Sequence, residues 1–269
     1  MRALALLFAL ALPAAAQDNS GLSRLETRDQ LRGWEPVGRV DIRDGGFCTG
    51  ALIAADLVLT AAHCVIDPGG EPIDAARITF RAGLADGVAL AEVPVASTVA
   101  PEGFLSLSPA PPEQLALDVA LLQLASPIPS SLIAPFTVAL PGAGDEVSVV
   151  SYAAGREEAL SWQRVCKVLG KEGALIAVDC DVTFGSSGAP VLDRSGYRAK
   201  IVSIISAGYQ EGGRTVAFGM ELPRLVDALK ARLRAGQVTS AAAGTSPQTG
   251  AKRITLGGGG DTGARFIKP

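Results

Sequence analysis

The chain predicts an all-β fold with a single late helix, on three observations. Short apolar or alternating runs, broken by Gly, Pro and Asp, recur at roughly regular spacing through the body of the 269 residues, which is the pattern of a barrel or sandwich. One stretch changes period to 3.6: Leu222, Leu225, Val226, Leu229 and Leu233 form a helical stripe, with Pro223 near its start and Gly236 past its end. Beyond that the composition turns to Ala, Gly, Ser and Thr, with four glycines in a row at 257–260. Such a segment cannot bury enough apolar surface to offset its ordering entropy, so 237–269 is expected to be a flexible tail.

Taken in order, strands are expected at 37–42, 51–53, 57–59, 78–81, 89–95, 119–124, 146–151, 165–169, 174–178, 201–205 and 215–218. The pair 165–169 and 174–178 is joined by Gly170-Lys171-Glu172-Gly173, which is hairpin spacing. With 48% of its residues hydrophobic, the chain can form one large domain or two small lobes sharing a cleft; 33–236 reads as that body, after a leading segment at 17–32. Ahead of it, Met1-Arg2 supplies a positive end, 3–12 an apolar run too short to span a bilayer, and Ala14-Ala15-Ala16 a small-residue cleavage site. Residues 1–16 therefore read as a signal peptide, with Gln17 opening the mature chain and the product secreted or periplasmic. Pro13 interrupts the run and Asp18, Asn19 and Ser20 follow it, which favours export over anchoring. No later run of about 18 apolar residues offers a membrane span. The net charge of −3, with no Lys/Arg cluster in the body, argues against nucleic acid as a partner.

Four cysteines in an exported chain point to two disulfides, with three pairings open. A bridge between Cys48 and Cys64 would pin the residue beside Cys64 against the neighbouring strand. Cys166 and Cys180 lie symmetrically about Gly173 on the expected hairpin, where a cross-strand bridge fits. Zinc is disfavoured, because the chain has a single histidine and no C-x-x-C pair. No metal or other cofactor is expected.

That single histidine, His63, sits in Leu59-Thr60-Ala61-Ala62-His63-Cys64. Imidazole is the side chain whose ordinary pKa, about 6.5, lets it accept and return a proton near neutrality. Asp118 lies in the apolar stretch Leu115-Ala116-Leu117-Asp118-Val119-Ala120-Leu121-Leu122, and burying its carboxylate unpaired would cost several kcal/mol, so it needs a partner. A neutral imidazole with one N–H aimed at that carboxylate keeps its other nitrogen free to take a proton; an arginine is the alternative partner. A third feature, Gly185-Ser186-Ser187-Gly188-Ala189-Pro190, frames a serine with glycines in a tight turn. Gly185 permits a close backbone approach, and the amides of Gly185 and Ser187 could hold an oxyanion. Taken alone, such a turn is often only a turn.

Together, Phe47-Cys48-Thr49-Gly50-Ala51-Leu52-Ile53, the segment from Leu59 to Cys64, Asp118-Val119-Ala120-Leu121-Leu122 and the segment from Gly185 to Pro190 resemble the consecutive landmarks of the chymotrypsin-like (trypsin-like) serine proteases, in their exported bacterial branch. The resemblance spans roughly 33–236. It implies two six-stranded antiparallel β-barrels with a cleft between them and a C-terminal helix, His63 and Asp118 on the first barrel and Ser187 on the second. It implies a serine endopeptidase, acting as a monomer on polypeptide through an acyl-enzyme. It also implies a Cys48–Cys64 bridge beside the catalytic histidine, and a role for Ser206, Ala207 and Gly208 in pairing with substrate backbone beside the specificity pocket.

Departures from the family pattern matter too. Ser186 stands where many members carry Asp, so the ion pair that matures their oxyanion hole cannot form there. Ala189 replaces the second glycine of the usual Gly-Gly-Pro ending. Cys166 and Cys180 do not follow the animal spacing. Asp181 lies six residues before Ser187, where trypsin-like members place the acid that receives Lys or Arg, and a pocket-base carboxylate would select a cationic side chain; the same aspartate could simply close a hairpin. Glutamate selection by an extra pocket histidine is not expected, since His63 leaves none spare. The alternative function is a protease-fold binding protein that has lost catalysis.

Overall fold

In the computed structural model, residues 22–142, 145–211 and 214–241 are described. The expected signal peptide and all of the expected tail beyond 241 lie outside them. The described residues form sixteen strands and two α-helices. In order these are β1 (Leu22–Arg24), β2 (Val37–Ile42), β3 (Phe47–Ala54), β4 (Leu57–Thr60), β5 (Ile78–Ala82), β6 (Ala91–Val99), α1 (Pro112–Leu115), β7 (Ala120–Leu124), β8 (Thr137–Val138), β9 (Glu146–Ala153), β10 (Arg156–Glu172), β11 (Leu175–Val178), β12 (Pro190–Asp193), β13 (Lys200–Ile204), β14 (Ala207–Glu211), β15 (Arg214–Met220), α2 (Pro223–Arg234) and β16 (Thr239–Ser240).

The first six of the long strands make a closed antiparallel barrel. The ladder runs β6-β5-β2-β3-β4-β7, and β7 pairs back onto β6. Side chains alternate, as strand geometry requires: Val40, Leu52, Val58, Ile78, Phe80 and Leu122 fill the interior. The second sheet runs β14-β15-β11-β10-β9-β12-β13-β8, with β1 added on β10. Its six central strands curl until β13 meets β15. There the Ser203 hydroxyl donates to Met220 O at 2.9 Å and accepts from Met220 N at 3.0 Å, and Ser206 N donates to Phe218 O at 2.8 Å. Val147, Val149, Val168, Ile176, Val191 and Val202 pack inside.

A third apolar cluster joins the two halves. Tyr152, at the end of β9, is fully buried in it, and its hydroxyl donates to Leu84 O of the first half at 2.9 Å. Burial pushes the Tyr152 phenol far above its ordinary value. Helix α2 buries Val226 and Leu229 in this cluster with Leu222, and Leu225 and Leu233 pack at its edge. That is the stripe read from the sequence.

Two boundaries shift. Residues 17–32 were expected to precede the body, yet β1 pairs with β10 and Leu25 and Leu31 are buried in the central cluster. Residues 237–241 were expected to open the tail, yet Thr239 and Ser240 pair with Thr98 and Ser97 on β6. Backbone hydrogen bonds, which composition does not report, hold both segments.

Candidate active site

His63 occupies one turn of 3₁₀ helix, Ala62–Cys64, that follows the wholly buried β4. Cys64 is bridged to Cys48 on β3, and Cys166 to Cys180, which resolves the three open pairings. Among the described residues Cys48, His63 and Cys64 form a cluster of metal-ligating types. Both sulfurs are spent in the disulfide, so the cluster lacks the thiolates a metal would need.

Asp118 sits between α1 and β7, only 4% exposed. Its Oδ2 lies 2.7 Å from His63 Nδ1, and its Oδ1 accepts from His63 N at 2.9 Å. Ser206 Oγ donates to the same Oδ2 at 2.5 Å. Burial pushes the carboxyl pKa up, but the adjoining His63 charge and the bonds from His63 and Ser206 outweigh it and hold the group below its ordinary value. An ionised Asp118 fixes the Nδ1–H tautomer, so Nε2 becomes the free base.

Ser187 lies in the turn before β12. Gly185 has φ +90° and Gly188 φ +76°, where a side chain is strained. Space forbids one as well. A Cβ on Gly185 would sit 2.4 Å from the Phe47 ring, and one on Gly188 would sit 2.3 Å from Thr49 O and Thr60 Oγ1 and 2.9 Å from Ala61 N. The serine turn thus packs directly on the segment leading into His63. No hydrogen bond joins Ser187 to His63: Ser187 Oγ and His63 Nε2 are both buried and, among the described residues, unpartnered. Ser187 is itself buried. The amides of Gly185 and Ser187 donate to no described group.

Ala207 and Gly208 begin β14, which pairs with β15 and stands at one end of the sheet order among the described residues. Asp181 stands apart from the His63–Asp118 pair. Its N–H donates to Gln163 Oε1 at 2.5 Å and its Oδ1 accepts from Thr215 Oγ1 at 3.3 Å. Arg156 lies within electrostatic reach of it. Burial lowers that guanidinium's pKa, while the charges of Asp181 and Glu157 act the other way, and its Nη1 is buried without a partner among the described residues.

Sequence reasoning missed three features. Ser206, just ahead of β14, holds Asp118. Arg156 lies within electrostatic reach of Asp181, where no motif marks it. A small pocket next to His63 and Asp118 is walled by Phe104, Leu105, Leu107, Pro109 and Leu115, whose apolar character was visible but whose placement was not.

A two-barrel frame that holds a histidine on a buried aspartate beside a glycine-framed serine defines the class of trypsin-like peptidases. The trypsin-like peptidase domain family matches residues 48–198, and the chain belongs to that family. No curated protein matches it. Among solved structures it is similar to a Glu endopeptidase in complex with MPD, at 18% identity and TM-score 0.64, covering 81% of this chain and 96% of that one. It is also similar to the protease Anisep from Arthrobacter nicotinovorans, at 19% identity and TM-score 0.59, covering 72% of this chain and 93% of that one. At these identities the likeness is one of fold.

Proposed function

We propose that the protein is an exported serine endopeptidase that cleaves peptide bonds through His63, Asp118 and Ser187. The observations that carry this reading are a histidine locked on a buried carboxylate and a glycine-framed serine in a turn packed on the segment leading into that histidine, with His63 Nε2 and Ser187 Oγ both unpartnered among the described residues. Ser187 Oγ attacks the carbonyl carbon as its proton passes to Nε2. The amides of Gly185 and Ser187 hold the oxygen's developing charge, and Asp118 steadies the imidazolium. Collapse breaks the C–N bond, and the amine leaves with the proton from Nε2. Water, deprotonated by the same nitrogen, then hydrolyses the ester. Polypeptide enters as an added strand along β14, the end strand of its sheet, from Ala207 and Gly208. Export is supported by the signal-like residues 1–16 and by the two disulfides, and the monomer is the form proposed to act.

Cleavage after Lys or Arg is favoured by Asp181, six residues before Ser187. The charge of Arg156 acts on the same carboxylate, so a cationic side chain would have to compete with an internal cation.

The test is labelling of the mature protein with a fluorophosphonate, alongside a substrate panel carrying Lys, Arg, Ala or Glu before the cut. Wild type labels at Ser187, and Ser187→Ala and His63→Ala each lose about 10⁴-fold or more of kcat, with the double variant losing little more because the groups act as a unit. Absence of labelling with intact folding would favour the binding-protein alternative; additive losses would contradict the triad. Arg or Lys substrates cleaved no faster than Ala would remove the role given to Asp181.

A further inference from the structure

We infer that Thr49, a residue of the first barrel, is the positioning residue that sets the oxyanion-binding loop of the second, doing with neutral bonds what an ion pair at position 186 would otherwise do. The inference rests on the serine-peptidase reading.

Four consecutive carbonyls of the loop are occupied. Phe184 O accepts from Ala154 N at 2.7 Å, Gly185 O from Thr49 Oγ1 at 2.8 Å, Ser186 O from Ala189 N at 2.9 Å and Ser187 O from Thr49 N at 2.8 Å. Because each peptide unit is planar, holding a carbonyl fixes the N–H of the next residue on the opposite side. The carbonyls of Phe184 and Ser186 thereby aim the amides of Gly185 and Ser187, the two that donate to nothing described. Thr49 holds the planes that alternate with these, so neither neighbour can rotate and carry an amide away.

The direction of the Thr49 hydroxyl is forced. It has one hydrogen and two lone pairs. Tyr152 N donates to it at 3.1 Å, and of its two possible acceptors Gly185 O is at 2.8 Å against 3.4 Å for Tyr152 O. The proton therefore belongs to Gly185 O. Thr49 is wholly buried, and its own carbonyl accepts from Thr60 Oγ1 at 2.8 Å, three residues before His63. One residue thus ties the oxyanion loop, the end of β9 and the approach to the histidine. Ser186 contributes no charge; among the described residues its hydroxyl meets Ser151 Oγ at 3.2 Å and Thr183 N at 3.4 Å. No described group in this network is ionic, so the loop does not need a cation from a newly cut chain end.

Two measurements test this. Thr49→Val keeps the shape and removes the hydroxyl: kcat on a peptide substrate is expected to fall about 10- to 100-fold, within the range for loss of oxyanion stabilisation, with KM little changed, and Thr49→Ser restores most of it. Affinity for a peptide aldehyde, whose adduct puts an oxygen in the hole, should fall with kcat. A Val variant that folds and matches wild type in both overturns the inference, as does a Ser variant as impaired as Val. The second measurement needs no variant at Thr49: mature protein carrying a blocked N-terminal extension is expected to label at Ser187 and cleave as fast as the unextended form. An extended form that stays silent until trimmed would overturn the inference while leaving the serine reading intact, whereas wild type that neither labels nor cleaves would overturn both.

Discussion

In the first barrel the closing seam, β6 against β7, is a backbone ladder running from Val95 to Val99. In the second, the seam between β13 and β15 depends on one backbone bond and one side chain, Ser203. The site shows the same contrast. His63 and Asp118, on the first barrel, satisfy one another through two bonds. The Ser187 loop, on the second, is held from outside by Thr49. The lesson is that the acid–base half is built into one lobe, while the nucleophile half is shaped at the contact between lobes, so the two halves should fail differently.

The largest expected effect comes from the disulfides. Cys48–Cys64 and Cys166–Cys180 close loops of 16 and 14 residues, so on the chain-entropy account removing either costs about 3 kcal/mol of stability. Function should separate them. Replacing Cys48 and Cys64 by Ala releases the His63 turn from β3 and is expected to lower kcat, whereas replacing Cys166 and Cys180 loosens the residue beside Asp181 and is expected to raise KM. Thermal unfolding with steady-state kinetics checks both; equal effects on kcat would break the contrast between lobes.

Next comes the seam. Ser203→Ala leaves the N–H and C=O of Met220, itself fully buried, without partners, which should cost about 2 kcal/mol. Hydrogen exchange should then show faster opening of β13 and β15 with the first barrel unchanged. Exchange that rises equally in both barrels would mean that the lobes unfold as one unit.

The contrast also marks what could be read from the chain. His63, Asp118 and Ser187 were legible because each is an anomaly in its surroundings: the single imidazole, a carboxylate in an apolar run, a serine between glycines. The helix was legible because Leu222, Val226 and Leu229 keep a period. Thr49 was not, because a β-branched residue in a strand is what any barrel contains. Its role depends on a hydroxyl meeting a loop 136 residues away in the chain. Ser203 left a faint signal, a lone hydroxyl inside Ile201-Val202-Ser203-Ile204-Ile205, since a buried polar group demands a partner. Which partner is a matter of tertiary closure. The pairing of β1 and β16 was hidden for a related reason: it uses backbone groups that every residue carries.

The smallest effect sharpens the comparison at the one bond that crosses between lobes to the carboxylate, Ser206 to Asp118. Asp118 has its carboxyl held below the ordinary range, so the native state resists protonation more than the unfolded chain does. Its contribution to stability is therefore present above the unfolded value, near pH 4, and is lost as pH falls through the lower native value. Ser206→Ala removes one of three bonds to that carboxylate and lets its pKa rise toward normal. With His63 still engaging both oxygens, the expected cost is about 1.5 kcal/mol at neutral pH, the low end for a hydrogen bond to a charge. The gap to wild type should close on acidification below pH 4, where the carboxylate protonates in both proteins. Unfolding midpoints measured across that range decide the matter. A gap that persists unchanged into acid would show that Ser206 acts through packing, and that the first lobe holds its aspartate without help from the second.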